Sequence, residues 1–286
     1  MAKSALLKSS LAKKYWMALT GLFLCLFLAG HLAGNLQLIF GTKQQFNEYA
    51  LFMTTNPAVK LLSYLTYISI LFHAVDGILL TIQNKKARPI GYAKNAASAN
   101  SGFASRNMAV LGTLILVFIV THMVNFWAKM HFDKNMPLMT KTIAMPDGTS
   151  KDLYVGTVSG QFFAVDQVQT ANDTVTSPFP KQLVLKNGTE LYNAQVDIKV
   201  ANLYKDLHTV TFNFFKDAKF GLIYTLAYVL AMFVLAFHLW HGFSSAFQSL
   251  GVNNKFTPTI KFIGKAFAII VPVLFAIIPL FIHFSK

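Results

Sequence analysis

Five apolar stretches, residues 16–40, 59–83, 107–130, 218–247 and 259–283, punctuate this chain. Each exceeds the roughly 20 residues that an α-helix needs to cross the hydrocarbon layer of a bilayer. Polar residues gather between them. The connections are modest except for 132–217, which is far longer than the about 2–8 residues that usually join helices in a bundle. The pattern predicts an all-α membrane protein, a five-transmembrane-helix bundle with an extramembrane insert between the third and fourth helices. It divides the chain into helices one to three (1–131), the insert (132–217) and helices four and five (218–286).

The insert has a pattern of its own. Asn187-Gly188 between Leu183, Leu185 and Leu191 predicts a small β-hairpin over 182–196 with a type I′ turn. Over 203–215, Leu207, Val210, Phe214 and Phe215 alternate with Lys205, Asp206 and His208, which predicts a helix lying in the membrane interface and leading the chain back into the bilayer.

Composition agrees with lipid as the solvent: 54% of residues are hydrophobic, 13% are charged and 27 are phenylalanine, too apolar for a soluble domain of this length. The first apolar run is longer than a signal-peptide core and contains His31 and Gln37, so it reads as a retained helix.

The net charge of +14 raises nucleic acid as a partner, but the basic residues cluster at span ends. Lys3, Lys8, Lys13 and Lys14 precede the first span; Lys85, Lys86, Arg88, Lys94 and Arg106 lie between the second and third; Lys255 precedes the fifth. Positive-inside topology and lipid phosphates explain that placement without nucleic acid, and put these loops in the cytoplasm. With five spans, the N-terminus is then cytoplasmic and the C-terminus outside. The insert holds nine of the eleven acids (Asp133, Asp147, Asp152, Asp166, Asp173, Glu190, Asp197, Asp206 and Asp217) against eight lysines, a nearly neutral outer cap; the bundle keeps only Glu48 and Asp76.

Four of the eight histidines, His31, His73, His122 and His238, fall inside four different spans, where an ionisable side chain is costly and marks a functional site. At about 1.5 Å per residue from the cytoplasmic end, His31 and His122 each lie about 24 Å deep, and His73 and His238 each about 18 Å deep. Two imidazoles at one depth on facing helices are what a b-type haem requires, one on each face of the porphyrin. The arithmetic therefore pairs His31 with His122 at an outer haem, and His73 with His238 at a haem nearer the cytoplasm.

Gly77 and Gly242 lie one turn beyond His73 and His238 on the same faces, and Gly34 flanks His31, leaving room for a flat macrocycle. His241, one turn beyond His238, competes as the fourth ligand, with depth favouring His238. Asp76 lies at about the depth of His241, which suggests a hydrogen-bonded pair beside the cytoplasmic-side haem. Glu48, in the outer connection near Gln44, Gln45 and Tyr49, is placed to accept protons from a quinol. His131 and His283 at span ends and His208 in the insert read as structural. The lone Cys25 excludes disulfides, thiolate zinc sites and cysteine-ligated iron–sulfur clusters within the chain, and the lack of Cys-x-x-Cys-His excludes thioether-linked haem.

The motifs around these histidines are Gly30-His31, Leu71-Phe72-His73-Ala74-Val75-Asp76-Gly77, Asn84-Lys85-Lys86-Ala87-Arg88-Pro89, Ser105-Arg106-Asn107, Thr121-His122-Met123, Phe237-His238-Leu239-Trp240-His241-Gly242-Phe243 and Gln248-Ser249-Leu250-Gly251. As a set, covering all five spans, they resemble the single-polypeptide, five-helix dihaem cytochrome b anchor subunit of succinate dehydrogenases and fumarate reductases, in its Bacteroidetes-like form. The resemblance implies His31, His73, His122 and His238 as axial ligands, two haem b and menaquinone as cofactors, and a bacterial inner-membrane location. It favours His238 over His241, because the family ligand is followed four residues later by glycine.

The resemblance also implies an iron–sulfur subunit and a flavoprotein with FAD on the cytoplasmic face, which would carry the dicarboxylate chemistry. Dimers of such complexes and the direction of the reaction are left open by it. Two departures stand out: the insert is longer than the family connection, and Ala236 stands where some fumarate reductases carry a glutamate. Two other readings are compatible with parts of the pattern: a dihaem cytochrome b of a hydrogenase or formate dehydrogenase type of complex, and a non-redox transporter with histidines along a proton path.

Overall fold

The computed structural model describes residues 9–90, 96, 99, 101–170 and 181–286; the predicted cytoplasmic Lys3, Lys8 and Lys94 and the insert's Asp173 lie outside them. Among the described residues, five helices are long and apolar enough to cross a membrane. The first span is α1 (Ser10–Asn35) continued, after a break at Leu36, by the short α2 (Gln37–Phe40). Ser9 caps α1 by accepting from the Ala12 amide, which starts the helix six residues before the apolar run.

The connection to the second span is itself helical. Thr42 and Gln45 form a reciprocal capping box that starts α3 (Lys43–Thr55), so residues read as a connection fold into nearly four turns. Asn56 then caps α4 (Pro57–Lys86), with proline at its first position and Lys85 and Lys86 at its carbonyl-rich end, where cations are favoured. The third span follows the short α5 (Phe103–Arg106). It comprises α6 (Met108–His122), a π-helical turn (Met123–Ala128) and α7 (Lys129–Phe132).

The described residues of the insert form two small sheets. β1 (Thr140–Ala144), β2 (Ser150–Val155) and β3 (Phe162–Ala164) form an antiparallel meander. β4 (Val168–Gln169), β5 (Leu183–Lys186), β6 (Glu190–Asn193) and β7 (Lys199–Asn202) lie side by side in sequence order, with β4 and β5 parallel. The hairpin expected over 182–196 forms as β5–β6. Its Asn187 and Gly188 take φ of 52° and 80°, and the Thr189 amide donates to the Lys186 carbonyl, as a type I′ turn demands.

Val168, Leu191, Ala201 and Leu203 form the core of this cap, while Met139, Val155 and Tyr204 pack with Leu51 of α3. The cap thus sits on one end of the bundle, called here the cap side. The interfacial helix is shorter than expected: α8 spans Leu207–Phe215, because Leu203 is taken up in a bridge to Gly156 of the cap.

The last two spans are α9 (Gly221–Ser249) and α10 (Thr257–Phe284). Cys25 of α1 packs with Met232, Leu235 and Leu239 of α9 and Ala268 of α10. Leu26, Val117, Leu230 and Phe262 point outward and are more than half exposed, an apolar perimeter suited to lipid.

Candidate functional site

The four spans that carry the predicted histidines line one large, partly open cavity of about 1330 Å³, and His31, His73, His122 and His238 all face it. That exceeds the about 300–1,000 Å³ of a typical single-ligand pocket. Within it the histidines meet in two couples. The rings of His31 and His122 lie 5.9 Å apart, centre to centre, at 85° to each other. Those of His73 and His238 lie 6.1 Å apart at 68°.

The two couples occupy different levels. On α1, a Cβ built at Gly21 would lie 3.1 Å from Cε1 of His73, so Gly21 marks the far-side level, and His31 follows ten residues later. On α6, a Cβ at Gly112 would lie 3.8 Å from Cε1 of His238, and His122 again follows ten residues later. Ten residues of helix rise about 15 Å, so both helices give the same separation.

Each imidazole is held by its surroundings. Nδ1 of His73 lies 3.1 Å from the Met17 carbonyl and 3.3 Å from Oγ1 of Thr20, which occupies that nitrogen and leaves Nε2 for the cavity. On the cap side, Phe27 stacks on His31 and Phe118 on His122, each one helical turn away. Nδ1 of His122 faces the Tyr228 hydroxyl of α9 at 3.4 Å, and the Asn35 amide donates to the His31 carbonyl at 2.8 Å. Nδ1 of His238 is buried and has no hydrogen-bond partner among the described residues.

This donor set suits a particular kind of metal group. Among the described residues no three histidines, cysteines or carboxylates come together, so each couple offers two nitrogens and nothing more. Two protein nitrogens leave a bare zinc ion short of its usual ligands, whereas a porphyrin supplies its own four equatorial nitrogens and needs only axial ones. Two metal–imidazole bonds of about 2 Å, with roughly 1 Å more from each nitrogen to its ring centre, put the ring centres about 6 Å apart. Both couples have that spacing, and both open into the cavity.

The glycines divide into two kinds. Gly77 and Gly242 line the cavity; a Cβ at Gly77 would meet nothing within 4 Å, and one at Gly242 only the Met108 methyl at 4.0 Å. Gly34, expected to leave room for a macrocycle, does something else. A Cβ there would fall 2.4 Å from the Tyr49 ring, so the missing side chain admits Tyr49 of α3 against α1. The sequence reading overlooked α3 as a packing partner.

The expected Asp76–His241 pair does not form. His241 lines the cavity, Asp76 does not, and no hydrogen bond or ion pair joins them. Equal depth fixes height on a helix but not the direction in which a side chain leaves it. The ring contact with His73 is made by His238 and not by His241.

Glu48 sits on α3 beside a second, cap-side groove of about 650 Å³, which Gln37, Gln45, Tyr49, Phe40 and Phe52 also line. The Gln44 amide donates to its carboxylate at 2.8 Å. Burial pushes the Tyr49 phenol above its ordinary range, so it remains a neutral hydroxyl. Tyr49 lines both this groove and the central cavity, forming part of the wall between them.

The remaining histidines lie at the cap-side end. His131 bonds the Trp127 carbonyl, His283 the Phe215 carbonyl, and His208 stacks on Phe212. Gly21, Gly112, Thr20, Asn35 and Tyr228 had escaped the sequence reading; the signal for the two glycines was their shared ten-residue spacing to His31 and His122. Comparison of the chain with protein-family models, with curated proteins and with solved structures finds no match.

Proposed function

We propose that this chain is the membrane-anchor cytochrome b subunit of a succinate:quinone oxidoreductase, carrying electrons between menaquinone and an iron–sulfur partner. The observation that carries the reading is two facing imidazole couples in one apolar cavity, about 15 Å apart along the bundle. His31 and His122 would hold one haem b and His73 and His238 the other; a haem so ligated supplies one-electron redox chemistry at each level.

The chain's own residues supply the setting. Thr20 and the Met17 carbonyl fix which His73 nitrogen faces the cavity, and its mostly apolar walls suit a hydrophobic macrocycle. On this reading the Glu48 groove takes a quinol head group. Oxidation of a quinol there would release two electrons and two protons; a haem held by His31 and His122 would supply the one-electron acceptor, while Glu48 would take one proton and water at the cap-side mouth of the groove the other. A haem held by His73 and His238 would supply the one-electron site nearest an iron–sulfur subunit, which on this reading docks on the cytoplasmic loops with a flavoprotein beyond it. On this reading the basic loops lie in the cytoplasm, which puts the cap outside, and the family resemblance implies a bacterial inner membrane.

The test is purification of the protein from membranes, followed by a reduced-minus-oxidised spectrum and identification of what co-purifies. b-type haem bands together with a flavoprotein bearing covalent FAD support the reading. Haem bands with a different redox partner would redirect it to another quinone-linked enzyme, and a protein without haem bands would end it.

A further inference from the structure

The two imidazole couples differ in what stands behind them. At the far side, Nδ1 of His73 faces a main-chain carbonyl and a threonine of α1, and Nδ1 of His238 has no partner among the described residues. At the cap side, Nδ1 of His122 faces a phenol from another span: the Tyr228 oxygen lies 3.4 Å away, and Asn125 Nδ2 donates to that same oxygen at 3.4 Å. The π-helical turn that begins directly after His122 brings Asn125 to this phenol.

The Tyr228 ring has little freedom. Phe118 and Phe215 lie edge-on to it with ring centres 5.0 Å away, and Phe214 and Phe126 complete the enclosure. When Nε2 of His122 is committed to a metal, Nδ1 must carry the proton and becomes a donor. The acceptor in reach is the Tyr228 oxygen, whose two lone pairs serve both His122 and Asn125.

Resting on the bis-imidazole reading above, we propose that Tyr228 is a positioning residue that orients His122 and lowers the midpoint potential of the cap-side haem, leaving the far-side haem unaffected. The physical cause is that an accepted Nδ1–H makes the imidazole more basic, and a more basic axial ligand favours oxidised iron. Tyr228 itself touches no reacting atom and works through His122. The two haems thereby acquire different potentials from the protein alone.

The experiment is a haem-resolved redox titration of the intact membrane protein carrying Tyr228→Phe, which keeps the ring in its aromatic enclosure. The cap-side midpoint is expected to shift upward while the far-side midpoint stays put, with two haems retained. Selective loss of the cap-side haem also supports the assignment, because His122 then lacks its orienting contact. Two retained haems with unchanged midpoints overturn it.

If Tyr228→Phe loses both haems, Asn125→Leu decides the matter. It removes a donor from the phenol oxygen without touching His122, strengthening the remaining hydrogen bond, so the cap-side midpoint should shift downward. Unchanged midpoints in that variant overturn the proposal. Wild-type protein without bis-histidine haem bands would instead refute the cytochrome reading on which it rests.

Discussion

His31 and His122, 91 residues apart in sequence, face each other across the cavity with ring centres 5.9 Å apart, and they do so about three helical turns closer to the cap than His73 and His238. Such a couple acts as a unit, so removing either member should empty one level and spare the other. His31→Ala and His122→Ala should each reduce haem from two to one per chain, as should His73→Ala and His238→Ala. His241→Ala should retain two, since His241 makes no ring contact with His73. Haem per protein, measured by absorbance, reads the outcome.

Gly21 and Gly34 lie on the same helix, but a side chain at each has a different consequence. At Gly21 it meets the His73 imidazole, so Gly21→Val should displace that ring and cost the far-side haem selectively. At Gly34 it meets the Tyr49 ring, so Gly34→Ala should overpack the α1–α3 contact by about 1–3 kcal/mol while both haems remain. Thermal denaturation followed alongside haem absorbance separates the two effects.

Asp206 joins the cap to the bundle. It is 2% exposed, receives hydrogen bonds from Asn47 and Thr209, and pairs with Lys43 of α3. Burial works against its ionisation, but the hydrogen bonds from Lys43, Thr209 and Asn47 outweigh it and hold the carboxyl below its ordinary range. A depressed carboxylate pKa gives stability that is complete above the unfolded value of about 3.9 and is lost as the pH falls through the lower folded one. Asp206→Asn should cost about 1–3 kcal/mol at neutral pH, less than a fully buried pair because Lys43 keeps contact with water. Its difference from wild type in thermal stability should shrink as the medium is acidified below the ordinary carboxylate range.

Gly188 combines a φ of 80° with a close approach: a Cβ there would lie 2.6 Å from the Lys134 carbonyl oxygen. Gly188→Ala meets both the left-handed penalty and that backbone contact, so it should destabilise the cap by more than about 1 kcal/mol. Proteolysis of the insert should accelerate while the haem spectrum is unchanged, since the four imidazoles of the two couples lie on the spans and not in the insert.

The spans were legible because lipid imposes one crude requirement, about 20 apolar residues, and five stretches meet it. The hairpin was legible because Asn187-Gly188 suits positive φ at both positions. The pairing of the histidines was legible because rise per residue is constant, so depth can be counted, but the counted offset of about 6 Å between the levels falls short of the about 15 Å in the structure, because the true helix ends do not lie at one height. Angular position is not countable in that way, which is why Asp76 and His241 were matched in height yet do not touch. The helix α3 was missed although Thr42-x-x-Gln45 carries a capping-box signature, and with it went the Gly34–Tyr49 contact. Neither the π-helical turn after His122 nor the partnership of Tyr228 with His122 has a sequence signal, since both arise from packing between distant spans.

The most direct measurement of the central claim is the haem content and reduced-minus-oxidised spectrum of the purified wild-type chain, with axial ligation read by low-temperature electron paramagnetic resonance. The account predicts two b-type haems per chain, both low-spin with two histidine ligands. A colourless protein, or a single haem that survives loss of both His31 and His73, would contradict it.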